Sequence, residues 1–365
     1  MTRFPRPDYA PLARYAFDRR PVEVDLSDNT NLWGGHPAAL EVVKGADSDD
    51  LARYPALYAD ELKRAVSRTF GVPAAAVCTG CGSDDVLDAA WRACAPTTAP
   101  AVVGYAAPTF SMVEPLSLMN ARAARPVPWS EALKDPSRLL ADDPALVYVC
   151  RPNNPTGLLA PPAWLDALVD AAGSRPDGGP LVVVDEAYAD FAGETYAARA
   201  AERERVLVTR TLSKAYGLAG LRVGFAVGAP SVIDEVEKAR GPYKVGRLAT
   251  AAAVAALDDA EGWTRDVVEV AVRNRRRLTE ELVGRALDPL PSRANFVLIP
   301  VAAGAARDLA LRMRALGVAI RPFPACPDVG DAVRVTVAPW PLMERFLGAL
   351  DSMLADDPTR WSSDR

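Results

Sequence analysis

Four short aliphatic runs recur along the middle of the chain: VVGY at 102–105, ALVYV at 145–149, LVVV at 181–184 and VLVT at 206–209, each separated from the next by a helix-like stretch. Runs that are continuously apolar, rather than alternating, read as strands buried on both faces, as in a parallel sheet. The stretch PPAWLDALVDAA from Pro161 puts Leu165, Leu168, Val169 and Ala172 on one helical face, behind prolines suited to a helix start. Such alternation implies an α/β fold: a mostly parallel sheet with helices on both sides. From about residue 245 the pattern changes to long helical segments, 250–285 and 303–316, followed by the strand-like FVLIP, VAIRPF and AVRVTVA. A smaller α+β domain is expected there.

With 365 residues the chain suits one large and one smaller domain. A net charge of −5 argues against binding nucleic acid by phosphate neutralisation. The one basic cluster, Arg273 with Arg275, Arg276 and Arg277, has helical spacing and acidic neighbours, so a solvated helix face is expected. The apolar run LATAAAVAAL at 248–257 is about half the length needed to cross a bilayer. The opening MTRFPRPDYAPLARYAF lacks the apolar core of a signal peptide, so no membrane contact and a cytoplasmic location are expected. Five cysteines, an odd number thinly spread, suit reduced thiols. Cys78 and Cys81 form a C-x-x-C, read here as a strand entering a glycine loop, with a redox pair as the alternative. His36 is the only histidine and no second cysteine pair exists, so no metal site is expected.

In open α/β sheets ligands bind beyond the carboxyl ends of the strands, and there the residues form a chemical set. After AAVC come Gly80 and Gly82, then Ser83 and Asp84 opening a helix whose free N–H groups suit phosphate; ordinary helix capping is the alternative. After VVGY comes Phe110, either a core ring or a plate for a flat ligand. After ALVYV comes CRPNNPTG, a turn in which Asn154 presents an amide. After LVVV come Asp185, Glu186 and Tyr188; an acid behind buried aliphatics is costly without a cation, unless it is a surface cap. After VLVT comes TRTLSKAYGLAGLRVGF, which carries Thr211, Ser213, Lys214 and Arg222. A Walker loop, a dinucleotide fingerprint, a G-x-S-x-G elbow and metal ligands are all missing. An amine, a buried acid, an aromatic plate and a phosphate cradle with a cation together suit pyridoxal 5′-phosphate.

The chain resembles the fold-type I pyridoxal-phosphate aminotransferases, and within them the histidinol-phosphate aminotransferase branch. The likeness rests on RYP at 53–55, GSDD at 82–85, PTF at 108–110, PNNPTG at 152–157, DEAY at 185–188, RTLSKAYGLAGLRVGF at 210–225, PY at 242–243, SRANFVL at 292–298 and VRVTV at 333–337. It implies an aspartate aminotransferase-like fold with a seven-stranded type of sheet. The organisation expected is an N-terminal arm over 1–30 that packs with the small domain, a large cofactor-binding domain over 31–245 and a small domain over 246–365. By resemblance, Lys214 binds the cofactor aldehyde covalently and shuttles protons, Asp185 faces the pyridine nitrogen, Asn154 and Tyr188 bond the ring oxygen and Phe110 stacks. The phosphate falls to the backbone of Ser83 and Asp84, to Thr211, Ser213 and Arg222, and to a Tyr54 reaching across a homodimer. Small residues after Lys214 are expected to let the chain pass close to the cofactor. Arg334, with Arg321, grips the donor's anionic end; Asn154, Trp33 and Tyr15 complete the substrate contacts. Where the family shows N-E-N-P-Y-G this chain has DNTNLWGG, with Thr30, Leu32 and Trp33 as departures that leave the donor open. The implied activity is amino transfer between an amino acid or histidinol phosphate-like donor and a 2-oxo acid such as 2-oxoglutarate, with aromatic and specialised-metabolite donors included. The alternatives are a decarboxylase of the threonine-phosphate type and a non-catalytic sensor on the same fold.

Overall fold

The computed structural model describes the chain except residues 1–3, 5, 7–8, 15, 17, 19, 95–100, 176–177 and 362–365. In chain order its strands are β1 (Val24–Asp25), β2 (Val77–Cys81), β3 (Val102–Ala107), β4 (Ala123–Pro128), β5 (Leu146–Cys150) and β6 (Leu181–Asp185). They continue with β7 (Val206–Thr211), β8 (Val223–Val227), β9 (Phe296–Pro300), β10 (Val318–Ala319), β11 (Arg321–Cys326) and β12 (Gly330–Thr336). A seven-stranded sheet has the order β2-β8-β7-β6-β5-β3-β4, and in it only β8 opposes its neighbours. The four aliphatic runs are its central strands β3, β5, β6 and β7. Their continuous apolarity has the expected cause: Val147 and Val149 enter the core on one face, while Leu146, Tyr148 and Cys150 enter the core on the other.

The helix Pro162–Gly173 buries Leu165, Leu168, Val169 and Ala172, as its spacing predicts, and adds Trp164. Where a glycine loop is expected after CTGC, β2 instead runs directly into the helix Gly82–Ala93. Cys78 is buried in the sheet core and Cys81 is exposed. Residues three apart on a strand face opposite ways, so the pair forms no dithiol site.

The small sheet, β11-β12-β9, is antiparallel and packs under the helices Ala306–Ala315 and Trp340–Asp356. Val24 and Leu26 join this core, where β1 pairs with β10. The expected helix 250–285 is two helices, Arg247–Asp258 and Trp263–Gly284, parted at Gly262. The Asp259 carboxylate accepts the amides of Trp263 and Thr264, each at 2.9 Å, and so starts the second helix. The first of the two, which follows the boundary expected at 245, sends Ala252, Ala253 and Ala256 into the core of the large sheet.

The basic cluster departs from a plain solvated face. Arg275 is buried and its Nη1 donates to the Ala294 carbonyl at 2.7 Å, while the Arg277 guanidinium lies 3.6 Å from the Trp340 ring centroid. Among the described residues no helix is long and apolar enough to cross a membrane.

Candidate active site

The strands β2, β3, β5, β6 and β7 end on one edge of the large sheet, and a cavity of about 680 Å³ opens there. The β7–β8 connection folds over that edge, because β8 turns back antiparallel beside β7, with Thr211 opposite Gly224. This return brings Arg222, at φ +54°, beside the start of the helix Gly82–Ala93, where the Gly82 amide donates to the Arg222 carbonyl at 3.0 Å. Glycine is required at 224: a Cβ there would lie 2.3 Å from the Ser83 nitrogen. The helix start therefore packs against β8 without an intervening side chain.

Ser83 and Asp84 occupy the first turn of that helix, not its cap, and no side chain caps it. The capping alternative is therefore not realised, and both residues line the cavity with Thr211, Ser213 and Arg222. The Thr211 hydroxyl donates to the Ser213 hydroxyl at 2.9 Å and accepts the Ser213 amide at 3.1 Å. Arg222 Nη2 lies 3.4 Å from Asp84 Oδ2. Amide groups, two hydroxyls and a guanidinium around one helix start make an anion cradle.

Lys214 lines the same cavity, its Nζ donating to the Asp28 carbonyl at 3.1 Å and lying 6.0 Å from the Tyr188 ring centroid. Burial lowers its pKa to about 8, against the pull of the Asp28 carboxylate. Of the small residues after it, Ala219 lines the cavity, while two others serve the fold. Gly217, at φ +66°, lets the loop pass the Gly34 carbonyl, which a Cβ would approach to 2.2 Å, and Ala215 is buried in the core.

Asp185 is buried, which overturns the surface-cap alternative. It accepts the Tyr148 hydroxyl at 2.7 Å and the Ala187 amide at 3.1 Å, with the Thr209 hydroxyl at 3.4 Å. Burial raises its pKa to about 6, and the Tyr148 bond is the chief opposing influence. Among the described residues no basic side chain pairs with it, whereas the adjacent Glu186 points away and pairs with Arg210 at 3.3 Å. A carboxylate held in this way can pair with a cation supplied from the cavity.

Phe110, Asn154, Tyr188 and Arg321 form further walls. The two asparagines of PNNPTG separate by role: Asn153 is fully buried and braces Pro108 and Thr156, while Asn154 faces the cavity. Asn154 Oδ1 accepts Arg334 Nη1, and Arg334 Nη2 donates to the Ser27 carbonyl at 2.8 Å. The Tyr188 hydroxyl accepts Asn29 Nδ2 at 2.9 Å.

The structure thus gathers Lys214, Asp185, Tyr188, Ser83, Asp84, Phe110, Asn154, Thr211, Ser213, Arg222 and Arg321 around one cavity, with Arg334 bonded to its rim. Besides Arg334, two expected residues do not line it. Trp33 is half-buried and packs against the cores of both the large and the small sheet, and Tyr54 is 82% exposed, its ring tilted against that of Tyr243 at 5.1 Å. Tyr15 lies outside the described residues. Sequence reasoning missed Tyr148, Asn29 and Asp28. Asn29 alone left a signal, since its φ of +59° suits an asparagine in the DNTN stretch. The site fits pyridoxal phosphate on the chemistry of its donors: an amine shifted toward its neutral form, a buried acid awaiting a cation, an anion cradle and an aromatic wall.

Comparison with known proteins agrees. A family model described as aminotransferase class I and II matches residues 21–350. A histidinol-phosphate aminotransferase of Nostoc sp. is 33% identical over 97% of this chain and 99% of its own. The crystal structure of the Sinorhizobium meliloti histidinol-phosphate aminotransferase in complex with pyridoxal-5′-phosphate superposes with a TM-score of 0.83 at 24% identity, covering 98% of each chain. An L-threonine-O-3-phosphate decarboxylase from Porphyromonas gingivalis has a TM-score of 0.76 at 20% identity, over 91% of this chain and 99% of that one. The architecture is the expected aspartate aminotransferase-like α/β fold.

Proposed function

The chain belongs to the class I and II aminotransferases, and from that premise we propose that it uses pyridoxal phosphate to transfer an amino group from a histidinol phosphate-like donor to a 2-oxo acid such as 2-oxoglutarate. One observation carries the reading. The Lys214 amine and the cation-free Asp185 carboxylate open into a single cavity beside an anion cradle. When bound there, the cofactor supplies an electron sink for breaking a bond at the donor's α-carbon.

The chain's own residues do the remainder. Lys214 holds the cofactor and then moves a proton, which its depressed pKa favours near neutral pH. Asp185 would keep a positive ring nitrogen paired, and Tyr188 and Asn154 would donate to the ring oxygen. Phe110 supplies the stacking face. Ser83, Asp84, Thr211, Ser213 and Arg222 seat the phosphate, and Arg222 cannot lose its charge there. Arg334, with Arg321, takes the donor's anionic group. Trp33 and Tyr15 are assigned to the substrate entrance by resemblance.

We assign a homodimer in which Tyr54 reaches the partner's cradle. Tyr54, Leu51, Leu57 and Tyr243 are large side chains left exposed on one protomer, and the Tyr243 amide donates to the Leu57 carbonyl at 2.9 Å beside the Tyr54 ring. A three-part organisation, with an arm over 1–30, a large domain over 31–245 and a small domain over 246–365, and a cytoplasmic location belong to the same reading.

The test is a panel of amino donors with 2-oxoglutarate that includes histidinol phosphate, phenylalanine and tryptophan, read by glutamate formation. Histidinol phosphate is expected to react fastest. Carbon dioxide release in place of glutamate, or no reaction with any donor, refutes the proposal.

A further inference from the structure

One charged group of the cavity has no part in amino transfer as described above. Asp28 lies between β1 and the helix Pro37–Lys44 and lines the cavity with Lys214, Phe110 and Arg321. Thr30, also in the lining, holds the carboxylate: its amide donates to Asp28 Oδ1 at 3.1 Å, and its hydroxyl donates to the same oxygen. The segment on either side is anchored. Asn29 is 1% exposed and bonds Tyr188, Thr336 and Asn295, and Asn31 Nδ2 donates to the Ala215 carbonyl at 3.0 Å. The Asp28 carbonyl itself accepts from Lys214. Among the charges around Lys214, the Asp28 carboxylate does most to favour the protonated amine, so it acts at the reacting end of the cavity.

The cavity therefore has a charge map. Arg321, with Arg334 at the rim, meets an anion, and Met112 and Leu116 next to Phe110 give an apolar wall. A fixed carboxylate adds the opposite sign. Facing an apolar side group, it loses solvation and gains nothing; facing a second anion, it repels. A cation or an N–H donor gains a charge-assisted bond.

We propose that Asp28, positioned by Thr30, is a specificity-determining residue that selects amino donors whose side group is cationic or donates N–H, as an imidazole does, over donors with an apolar side group. The inference rests on the aminotransferase reading and narrows its substrate class.

The experiment measures kcat/KM of the holoenzyme for histidinol phosphate and for phenylalanine, each with 2-oxoglutarate, in the wild type, Asp28→Asn and Thr30→Ala. Asp28→Asn is expected to lower the ratio of histidinol phosphate to phenylalanine about tenfold, the difference between a charged and a neutral hydrogen bond. The change should lie mainly in KM. Thr30→Ala, which removes one of the bonds that position the carboxylate and keeps the carboxylate itself, lowers the ratio less. Binding of histamine followed by calorimetry should weaken in Asp28→Asn in the same sense. A wild type that transaminates, combined with an unchanged ratio in Asp28→Asn, overturns the role of Asp28 alone. A wild type that transaminates nothing overturns the aminotransferase reading and this inference with it.

Discussion

Replacing Tyr148 by phenylalanine tests whether the buried acid works as a charge. The substitution removes one hydroxyl, the donor 2.7 Å from Asp185 Oδ2, and keeps the ring that packs near Trp91. A hydrogen bond to a charged group is worth about 1.5–3 kcal/mol and a neutral one about 0.5–1.5, so losing it costs the ionised acid about 1.4 kcal/mol more than the protonated acid, roughly one pKa unit. Asp185, held at about 6 in the wild type, therefore moves to about 7. The sign follows from linkage. The folded-state pKa of this carboxyl lies above the ordinary 3.8, so the folded protein is penalised for ionising it. That penalty is absent below pH 4 and complete above pH 6 in the wild type, and in the variant it keeps growing to about pH 7. Thermal unfolding of the cofactor-free protein should show a small loss of Tm in Tyr148→Phe at pH 5 and a larger one at pH 8. Cofactor affinity, titrated by absorbance, should weaken about tenfold at pH 5, only about twofold at pH 7 where the variant's Asp185 is about half ionised, and recover at higher pH as ionisation is restored. An equal loss of Tm at both pH values would show that Tyr148 does not act through an ionised Asp185, and the reasoning would fail.

Capture of the cofactor aldehyde needs a neutral amine. With Lys214 at about 8, the rate of reconstitution should climb with pH and level off above 8, where an ordinary lysine would keep climbing to about 10.5. Stopped-flow absorbance measures this. Gly224→Ala forces a Cβ to 2.3 Å from the Ser83 nitrogen, backbone against backbone, and should cost about 2 kcal/mol or more of stability by urea unfolding while weakening cofactor retention. Arg222→Ala removes a half-exposed guanidinium from the cradle, so cofactor affinity should fall about tenfold while excess cofactor restores turnover. Arg275→Met leaves the Ala294 carbonyl without its donor and should destabilise the fold by about 1–3 kcal/mol with cofactor affinity unchanged, which separates a structural arginine from a functional one.

Much of the site was legible because its residues follow directly on the strands. Val206 to Thr209 announces a buried strand, and whatever follows such a strand lies on the ligand edge of a parallel sheet. That logic reaches Phe110, Asn154, Asp185, Tyr188 and Lys214 without coordinates. It fails where a contact joins distant segments. Tyr148 reads only as a core aromatic inside ALVYV, and its bond to Asp185 depends on the alignment of β5 with β6, in which Cys150 lies opposite Asp185. Asn29 and Asp28 lie far from Lys214 in sequence and reach it only because β1 docks on β10 and carries the following loop into the cavity. Arg275 looked solvated because helical spacing shows which residues share a face, not what packs on it.

The sequence by itself determined the α/β sheet, which chemical group follows each strand and the need for a cofactor that uses an amine with a buried acid. These follow from local periodicity and from the cost of burying charge, which any reader of the chain can apply. Only the tertiary structure decided which asparagine faces the cavity, that β8 reverses to bring Arg222 to the cradle, and that Asp28 adds a negative pole. Those outcomes depend on register and on docking between distant segments, and the energies that set them come from contacts that no local stretch contains.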